Sequence, residues 1–555
     1  MMMKLAKKRW LYLSFIVAFL FLSLSAFHFY DDDDDFEISK NLEIYYTLIR
    51  ELNIYYVDKP DVGKLITENI NNLLKGLDPY TVYIPETRIE DYKVMSTGEY
   101  GGIGALISIR QEKVLVTGLY QNSPASEVGL QVGDEILEIS GKKMQKITMD
   151  EIGDLLKGAA NTALTLKVRR FKNPEIKTFT LSRKDIKIKN VPYFDMLDDK
   201  IGYIKLTGFT YDAAQEVNSA FVKLKEQGMK HLVFDLRDNP GGLLIEAVKI
   251  VNLFVKKNEL VVKILGRVEQ GNYSFKTTDE PIDTLINVVV LVNSMSASAS
   301  EIVSGALQDL DRAVILGEKT FGKGLVQTTR PLIYNAQLKL TTAKYYIPSG
   351  RCIQALDYAH RNPDGSVGNI PDSLISTFKT RKGRLVYDGG GVSPDVKVPS
   401  EKESTLVDQL LEQYVLFDFV TAFVYDNKPT YANVASIENQ TNLFDEFVQY
   451  ALKQGFKYKT KREEQLSKLI EIAKEEKTYS DIENEIISLQ RKLEHNLDRD
   501  LHKFEKEITI LLQIDLASRF FYQEGEIQQM LRYDSQLSQA VGLVVNQQKM
   551  NEILN

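Results

Sequence analysis

A single cysteine, Cys352, occurs in the 555-residue chain. That excludes an internal disulfide framework and any metal site built from several thiolates. In "PSGRCIQ" the lone thiol reads as a small, partly buried residue. Histidine is almost as scarce: five occur, none near the serine-rich stretch "LVNSMSASASEIVSGALQDL" at residues 291–310. An excess of positive charge is missing too. The formal net charge is −7, so a general nucleic-acid role has no electrostatic support. The acidic run at residues 31–35 lacks the turn glycine and spaced ligands of a calcium loop, and reads as a solvated spacer.

Charge is absent altogether from "WLYLSFIVAFLFLSLSAF", which follows Lys4, Lys7, Lys8 and Arg9. A basic start before an apolar run marks an exported chain. The run is long for a cleaved signal and long enough to span a bilayer. Residues 1–30 therefore read as a signal peptide or as a retained anchor at residues 10–29. No cysteine follows, which excludes lipoprotein anchoring. On either reading the rest lies in the periplasm or cell envelope, soluble or anchored.

The length suggests three or four units. Residues 31–97 combine the acidic spacer with helical patterning: Leu42, Tyr45, Tyr46, Ile49 and Leu52 recur at helical spacing. Residues 98–172 change to short alternating strands between glycine and proline turns, with a short helix at Ser126 to Gly129. This segment resembles a PDZ domain, most specifically in "SPASEVGLQVGDEILEISG". "GGIGALI" then falls where that family's carboxylate-binding loop precedes its binding strand. Gly101, Gly102 and Gly104 let successive N–H groups, with that of Ile103, converge on an anion. The next strand offers an edge to an extended peptide. Residues 173–400 alternate strands and helices, which is the grammar of an α/β core. Residues 401–555, rich in Lys, Glu, Leu and Gln, read as long helices. They suit a helical subdomain, a homo-oligomer contact or an adaptor surface.

Residues 317–324, "GEKTFGKG", fit the spacing of a nucleotide-binding loop, and "HLVFDL" ends an apolar run in Asp235. The loop fails physically. Gly324 stands where Ser or Thr must hold Mg²⁺, and the β-branched "GLVQTTRPLIY" that follows predicts a strand, not the helix that helps bind phosphate.

The serines sit on a strand-to-helix turn, where a helix N-terminus contributes partial positive charge. Helix capping is the alternative use for serine there. Lys323 supplies a partner. A desolvated, neutral lysine acts as a general base, and Gly322 and Gly324 let its backbone enter a crowded site. Phe321 and Leu325 are candidate dry walls. On a strand, Lys323, Leu325 and Gln327 share a face, so Gln327 can orient the amine without raising its pKa. Ser296, Ser298 and Ser300 all remain open on this logic. His231 and Asp235 do not make a triad, since His231 reads as a solvated loop residue, and His360 lies in a polar loop.

"SASASE", "KTFGKGLVQ", "PSGR", "GGGVSPDVKVP" and "FDLRDNPGG" together resemble the C-terminal processing peptidases, or tail-specific proteases. The resemblance runs from about Leu42 to Pro399. It implies a multidomain α/β and β architecture: helical N-terminal segment, PDZ domain, crotonase/ClpP-like protease core and helical C-terminal extension. It implies Ser298 as nucleophile, Lys323 as base and Gln327 as its support. It implies an oxyanion hole from the backbone of Ala299 and of Gly241 or Gly242. The implied enzyme is an exported serine endopeptidase working through an acyl-enzyme, without metal or cofactor, on proteins with exposed or unfolded C-termini. A non-catalytic PDZ scaffold of the envelope is the alternative.

Overall fold

The computed structural model describes residues 32–555 except 363, 402–403 and 494–495. The apolar run at residues 10–29 lies outside the described residues. Among those described, no helix is long and apolar enough to cross a membrane. The chain up to Tyr83 forms one compact unit and Ile84–Asn555 another.

The first unit carries α1 (Asp32–Tyr55) and α2 (Val62–Lys75). The last four residues of the acidic run open α1, and acidic residues are favoured at the positive end of a helix macrodipole. Asp61 caps α2 by accepting the Lys64 N–H at 3.0 Å, and Gly76 ends it.

The second unit opens with α3 (Ile89–Thr97), β1 (Glu99–Gly102), β2 (Ala105–Arg110), β3 (Lys113–Leu119), α4 (Pro124–Glu127), β4 (Glu135–Ile139), α5 (Met149–Leu156), β5 (Ala163–Arg169), β6 (Ile176–Ser182) and β7 (Lys184–Lys187). Strands β2-β3-β4-β5-β6 form an antiparallel sheet in that order, so β2 is an edge. In β5 Leu164, Leu166 and Val168 are buried and their neighbours exposed, as a one-sided sheet requires. α4 starts earlier than the sequence predicts, because Ser123 caps it and Pro124 suits the first helical position. β1 pairs with β7 outside this sheet.

The core follows: β8 (Tyr193–Met196), β9 (Ile201–Lys205), α6 (Ala213–Glu226), β10 (His231–Asp235), α7 (Leu244–Asn252), β11 (Leu260–Gly266), β12 (Tyr273–Lys276), β13 (Asn287–Val292), α8 (Ala299–Asp309), β14 (Val314–Gly317), β15 (Leu325–Pro331), β16 (Gln337–Tyr346) and β17 (Val396–Lys397). The central sheet runs β8-β9-β10-β13-β14-β17 and is parallel from β9 onward. β15 pairs with β16, and β16 with β11, in a second sheet.

The tail comprises α9 (Thr405–Glu412), α10 (Val415–Asn427), α11 (Leu443–Lys453), α12 (Lys461–Glu475), α13 (Tyr479–Leu493), α14 (Leu497–Lys503), α15 (Glu505–Leu531), α16 (Ser535–Val544) and α17 (Gln547–Leu554). Val407, Phe419, Phe447, Leu501 and Leu512 give it a core of its own. Its last part does something else. A parallel sheet must be covered on both faces. Ile204, Phe234 and Val290 face α6, α7 and α8. Tyr203, Val233, Val289 and Leu291 face the other way and pack with Leu537, Ala540, Leu543 and Val544 of α16. The tail is therefore not wholly an extension, since α16 is the second layer of the α/β core. α10 also meets the β-rich module, where Arg110 of β2 pairs with Asp418 and Phe171 meets Tyr425 edge-on at 6.1 Å.

Leu537 is 5% exposed. Leu537→Ala should cost about 2–5 kcal/mol in urea unfolding, the range of a buried core leucine. A loss within the range of surface substitutions would mean that α16 does not cover the sheet.

Candidate active site

The turn between β13 and α8 sorts its serines by their hydrogen bonds. Ser296 Oγ donates to the Leu236 carbonyl at 2.8 Å, Ser300 Oγ to that of Asn239 at 2.9 Å, and Ser304 Oγ to that of Ser300 at 2.8 Å. All three are buried, and Ser294 is exposed. Ser298 alone of the five lines a cavity of about 580 Å³. Its backbone has φ +56° and ψ −111°, a conformation a non-glycine residue holds only where its surroundings enforce it. The same cavity is lined by Ala299, Gly241, Gly242, Lys323 and Gln327.

Glu301 ties this turn to the Lys323 segment. It is fully buried. One carboxylate oxygen accepts the N–H groups of Ser298 and Lys323, at 2.8 and 2.9 Å. The other accepts from Thr320 Oγ1 at 2.6 Å and from the Gly322 N–H at 2.7 Å. Burial pushes its pKa up to about 7, against the lowering effect of those four donors. Tyr345 spans the same two segments from the carbonyl side: its hydroxyl lies 3.1 Å from the Ser298 carbonyl and also reaches that of Lys323. Neither residue was predicted for the site. Glu301 carried one usable signal, the S-x-x-E spacing of Ser298 and Glu301 that marks a capping box. Tyr345 carried none.

Lys323 is half-buried and precedes β15. Glycine on either side lets this segment press against residues 354–355. A Cβ on Gly322 would lie 2.4 Å from Ala355 Cβ, and one on Gly324 2.7 Å from the Gln354 nitrogen. The expectation of a single strand face does not hold. β15 starts at Leu325, and its register shifts between Val326 and Gln327, so the alternation is broken by a bulge. Gln327 Nε2 lies 3.3 Å from the Leu325 carbonyl and 3.4 Å from Thr341 Oγ1. Phe321 is no dry wall, being 45% exposed; Leu325 and Ile302 line the cavity instead. Lys339 lines it too, and burial pulls its pKa down. β15 follows Lys323 where a nucleotide-binding loop would open a helix.

The two candidate glycines separate. The Gly241 N–H is already donated to Asn239 Oδ1 at 2.9 Å, which removes it as an oxyanion donor. Gly241 has φ +97°, and a Cβ there would lie 2.8 Å from the Ala299 nitrogen; glycine is needed for this close approach. Gly242 is exposed toward the cleft. Ala299 is the first residue of α8, where N–H groups have no acceptor within the helix.

His231 is not a loop residue. It starts β10, is half-buried, and burial lowers its pKa. It pairs with Asn287 at the far end of β13 from Ser298, so it cannot serve the serine. Asp235 is fully buried with Tyr203, Lys205 and Arg237, and these partners hold its carboxyl well below the usual range against burial. His360 pairs with Asp357 at 2.8 Å on an exposed hairpin. Among the described residues no group of three His, Cys, Asp or Glu could hold a metal ion.

The glycine loop before β2 is shorter than predicted. Gly101 and Gly102 belong to β1, paired with β7, which leaves Ile103 and Gly104 as the turn. Gly104 has φ +69°, and a Cβ there would meet Ser123 Cβ at 2.3 Å. Gly101 packs as tightly, against the Gly158 carbonyl.

Three family models match the chain: "Peptidase family S41" at residues 200–365, "PDZ domain" at 115–170 and "Probable PDZ-protease, C-terminal helical domain" at 406–544. A carboxy-terminal-processing protease of Bartonella bacilliformis is 36% identical over 321 residues, 57% of this chain and 73% of that protein. A CtpA-like serine protease of Staphylococcus aureus is 32% identical over 447 residues, 78% and 85% of the two chains. The solved photosystem II D1 C-terminal processing protease is 26% identical, with 64% of this chain and 92% of that one covered and a TM-score of 0.36.

The raised pKa of Glu301 makes stability depend on pH. A carboxyl whose pKa is higher folded than unfolded stabilises the fold below its ordinary value of 4.5, and that contribution is lost as pH rises through about 7. Urea unfolding of the unaltered protein against Glu301→Gln should show a relative loss of about 3 kcal/mol between pH 4 and pH 8. A pH-independent difference would mean that the fold does not raise the pKa of Glu301.

Proposed function

The chain belongs to the carboxy-terminal-processing serine proteases of peptidase family S41, and from that premise we propose that it is an exported endopeptidase that cleaves proteins with exposed or unfolded C-termini through a Ser298/Lys323 dyad. The observation that carries this reading is the shared cavity: Ser298, Lys323, Gln327, Ala299 and Gly242 line one space, while the buried serines spend their hydroxyls on carbonyls.

In the proposed reaction Ser298 Oγ attacks the scissile carbonyl carbon and its proton passes to the neutral amine of Lys323. The tetrahedral oxyanion takes the N–H groups of Ala299 and Gly242. Lys323 returns the proton to the departing amine, which leaves an ester on Ser298. Water, deprotonated by Lys323, adds to the ester carbonyl; the new acid and Ser298 Oγ–H are then released. Gln327 orients the lysine amine from β15. Neither metal nor cofactor enters these steps.

The PDZ domain is the proposed reader of the substrate C-terminus, with Ile103 and Gly104 at the carboxylate and edge strand β2 along the peptide. Ser96, Gly98, Ile188 and Lys189, on the two chain connections to this domain, line the catalytic cavity. A peptide that shifts the domain therefore shifts the cavity wall, which supports gating by the substrate. Export rests on the basic and apolar pattern of residues 4–27.

A protein beginning near Phe36 should cleave a loosely folded substrate with a free, small apolar C-terminus, as read by mass spectrometry of the products, and Ser298→Ala should abolish cleavage. Cleavage by both proteins would refute the assignment of Ser298. Binding of free C-termini without cleavage by either would favour the scaffold reading. Amidating the substrate's C-terminus should slow cleavage severalfold; equal rates would remove the PDZ turn from substrate recognition.

A further inference from the structure

We infer that α16 is a working part of the active site, with Asp534 and Gln536 acting as positioning residues for the turn that carries Gly242. The inference rests on the reading above that the Gly242 and Ala299 N–H groups bind the oxyanion.

The argument starts at Arg237, five residues before Gly242. Its guanidinium turns back onto Asp235, with Nε at 3.0 Å and Nη2 at 2.6 Å. The same group reaches across to the tail. Nη2 donates to Asp534 Oδ2 at 2.5 Å, and Nη1 donates to Gln536 Oε1 at 2.9 Å. Both acceptors are themselves held. Asp534 Oδ1 caps α16 by accepting the Leu537 N–H at 2.9 Å. Gln536 Nε2 donates to the Val398 carbonyl at 2.7 Å. The Arg237 side chain is 12% exposed and that of Asp534 15%, so these are not solvent-screened surface pairs.

From Arg237 the constraint passes to the serine turn without slack. Lys205 Nζ donates to the Arg237 carbonyl at 2.9 Å. The Asp238 N–H donates to Asn293 Oδ1 at 3.0 Å, and Asn293 Nδ2 returns a bond to Asp238 Oδ1 at 2.8 Å. The Asn239 carbonyl accepts the Ala297 N–H at 3.0 Å and Ser300 Oγ at 2.9 Å. Every residue from Arg237 to Asn239 is thus tied to the sheet or to the serine turn, and Arg237 is tied to the tail.

Two further features make the tail contact more than ordinary docking. Asp235 and Asp534 balance Arg237 and Lys205, so removal of the Asp534 charge leaves one cation in excess among side chains that are at most 15% exposed. A cavity of about 600 Å³ lies beside this network, between the core residues Tyr203, Lys205 and Arg237 and the tail residues Phe504, Leu511 and Ile527. Apolar packing therefore does not brace the turn from that side, and the hydrogen bonds of Asp534 and Gln536 do.

The test compares kcat and KM for Asp534→Asn, Gln536→Leu and Asn287→Ala in the otherwise full protein. Asparagine keeps the helix cap but removes the charge. Gln536→Leu leaves the Asp534 cap untouched, so it reads the same effect should Asp534→Asn not fold. Asn287 Nδ2 donates to the Val544 carbonyl at 3.1 Å and to Gln547 Oε1 at 2.9 Å; this is the same interface at the opposite end of the sheet. The first two variants should lose roughly ten- to hundredfold in kcat with KM unchanged, as expected for a small misplacement of catalytic groups. Asn287→Ala should keep its kcat. Unchanged kcat in both tail variants overturns the inference, as does an equal loss in Asn287→Ala. An unaltered protein that cleaves nothing takes down the reading of the site first, and this inference with it.

Discussion

A carboxylate removed from water survives only if donors replace its hydration. Glu301 has four, and two are the backbone N–H groups of Ser298 and Lys323. That single constraint organises the site. Two segments, one opening α8 and the other leading into β15, are pinned to one small group. The N–H of Ser298 is held by the carboxylate three residues ahead while its backbone keeps a positive φ, unlike Thr148 and Thr460, whose N–H groups meet Glu151 and Glu463 with negative φ. The need for glycine at 322 and 324 follows, since a segment drawn this close has no room for side chains against residues 354–355. Tyr345 closes the arrangement from the carbonyl side.

The central sheet supplies the frame. Its strands are buried on both faces, and the two faces are covered by material from different parts of the chain. The helices α6, α7 and α8 come from between the strands, as in any α/β core. The opposite face is covered by α16, whose first residues also reach Arg237. One helix thus contributes apolar cover along its length and polar ties at its start.

The β-rich module and the α/β core were legible because strand alternation, turn glycines and apolar runs are local signals. β5 shows this plainly, with its alternate burial. The choice of Ser298 over Ser296 and Ser300 was not local. All three sit in one alternating serine–alanine run, and the tertiary carbonyls of Leu236 and Asn239 tell them apart. Glu301 was hidden for a related reason: an acidic residue three positions after a serine reads as a helix cap, and nothing nearby says that its other oxygen meets Gly322. The role of α16 was hidden because "HLVFDL" and "NVVVLV" announce burial on both faces without naming what covers them. Gly101 and Gly102 misled in the opposite direction, since glycines suggest a loop and here they allow close packing inside a strand pair.

Arg237 and Gln536 meet although 299 residues separate them. At roughly 5–20 residues per second a ribosome needs on the order of 15–60 s to cover that interval. By its last part the Ser298 turn, the Lys323 segment and the sheet beneath them exist as polypeptide, while one face of the sheet stays bare and Arg237 has no tail to hold it. The growing chain is therefore an unfinished protease for most of its synthesis. The tie between Arg237 and the tail forms only when nearly all of the described chain has been made, so the second layer of the sheet is the last part of the fold to be laid down.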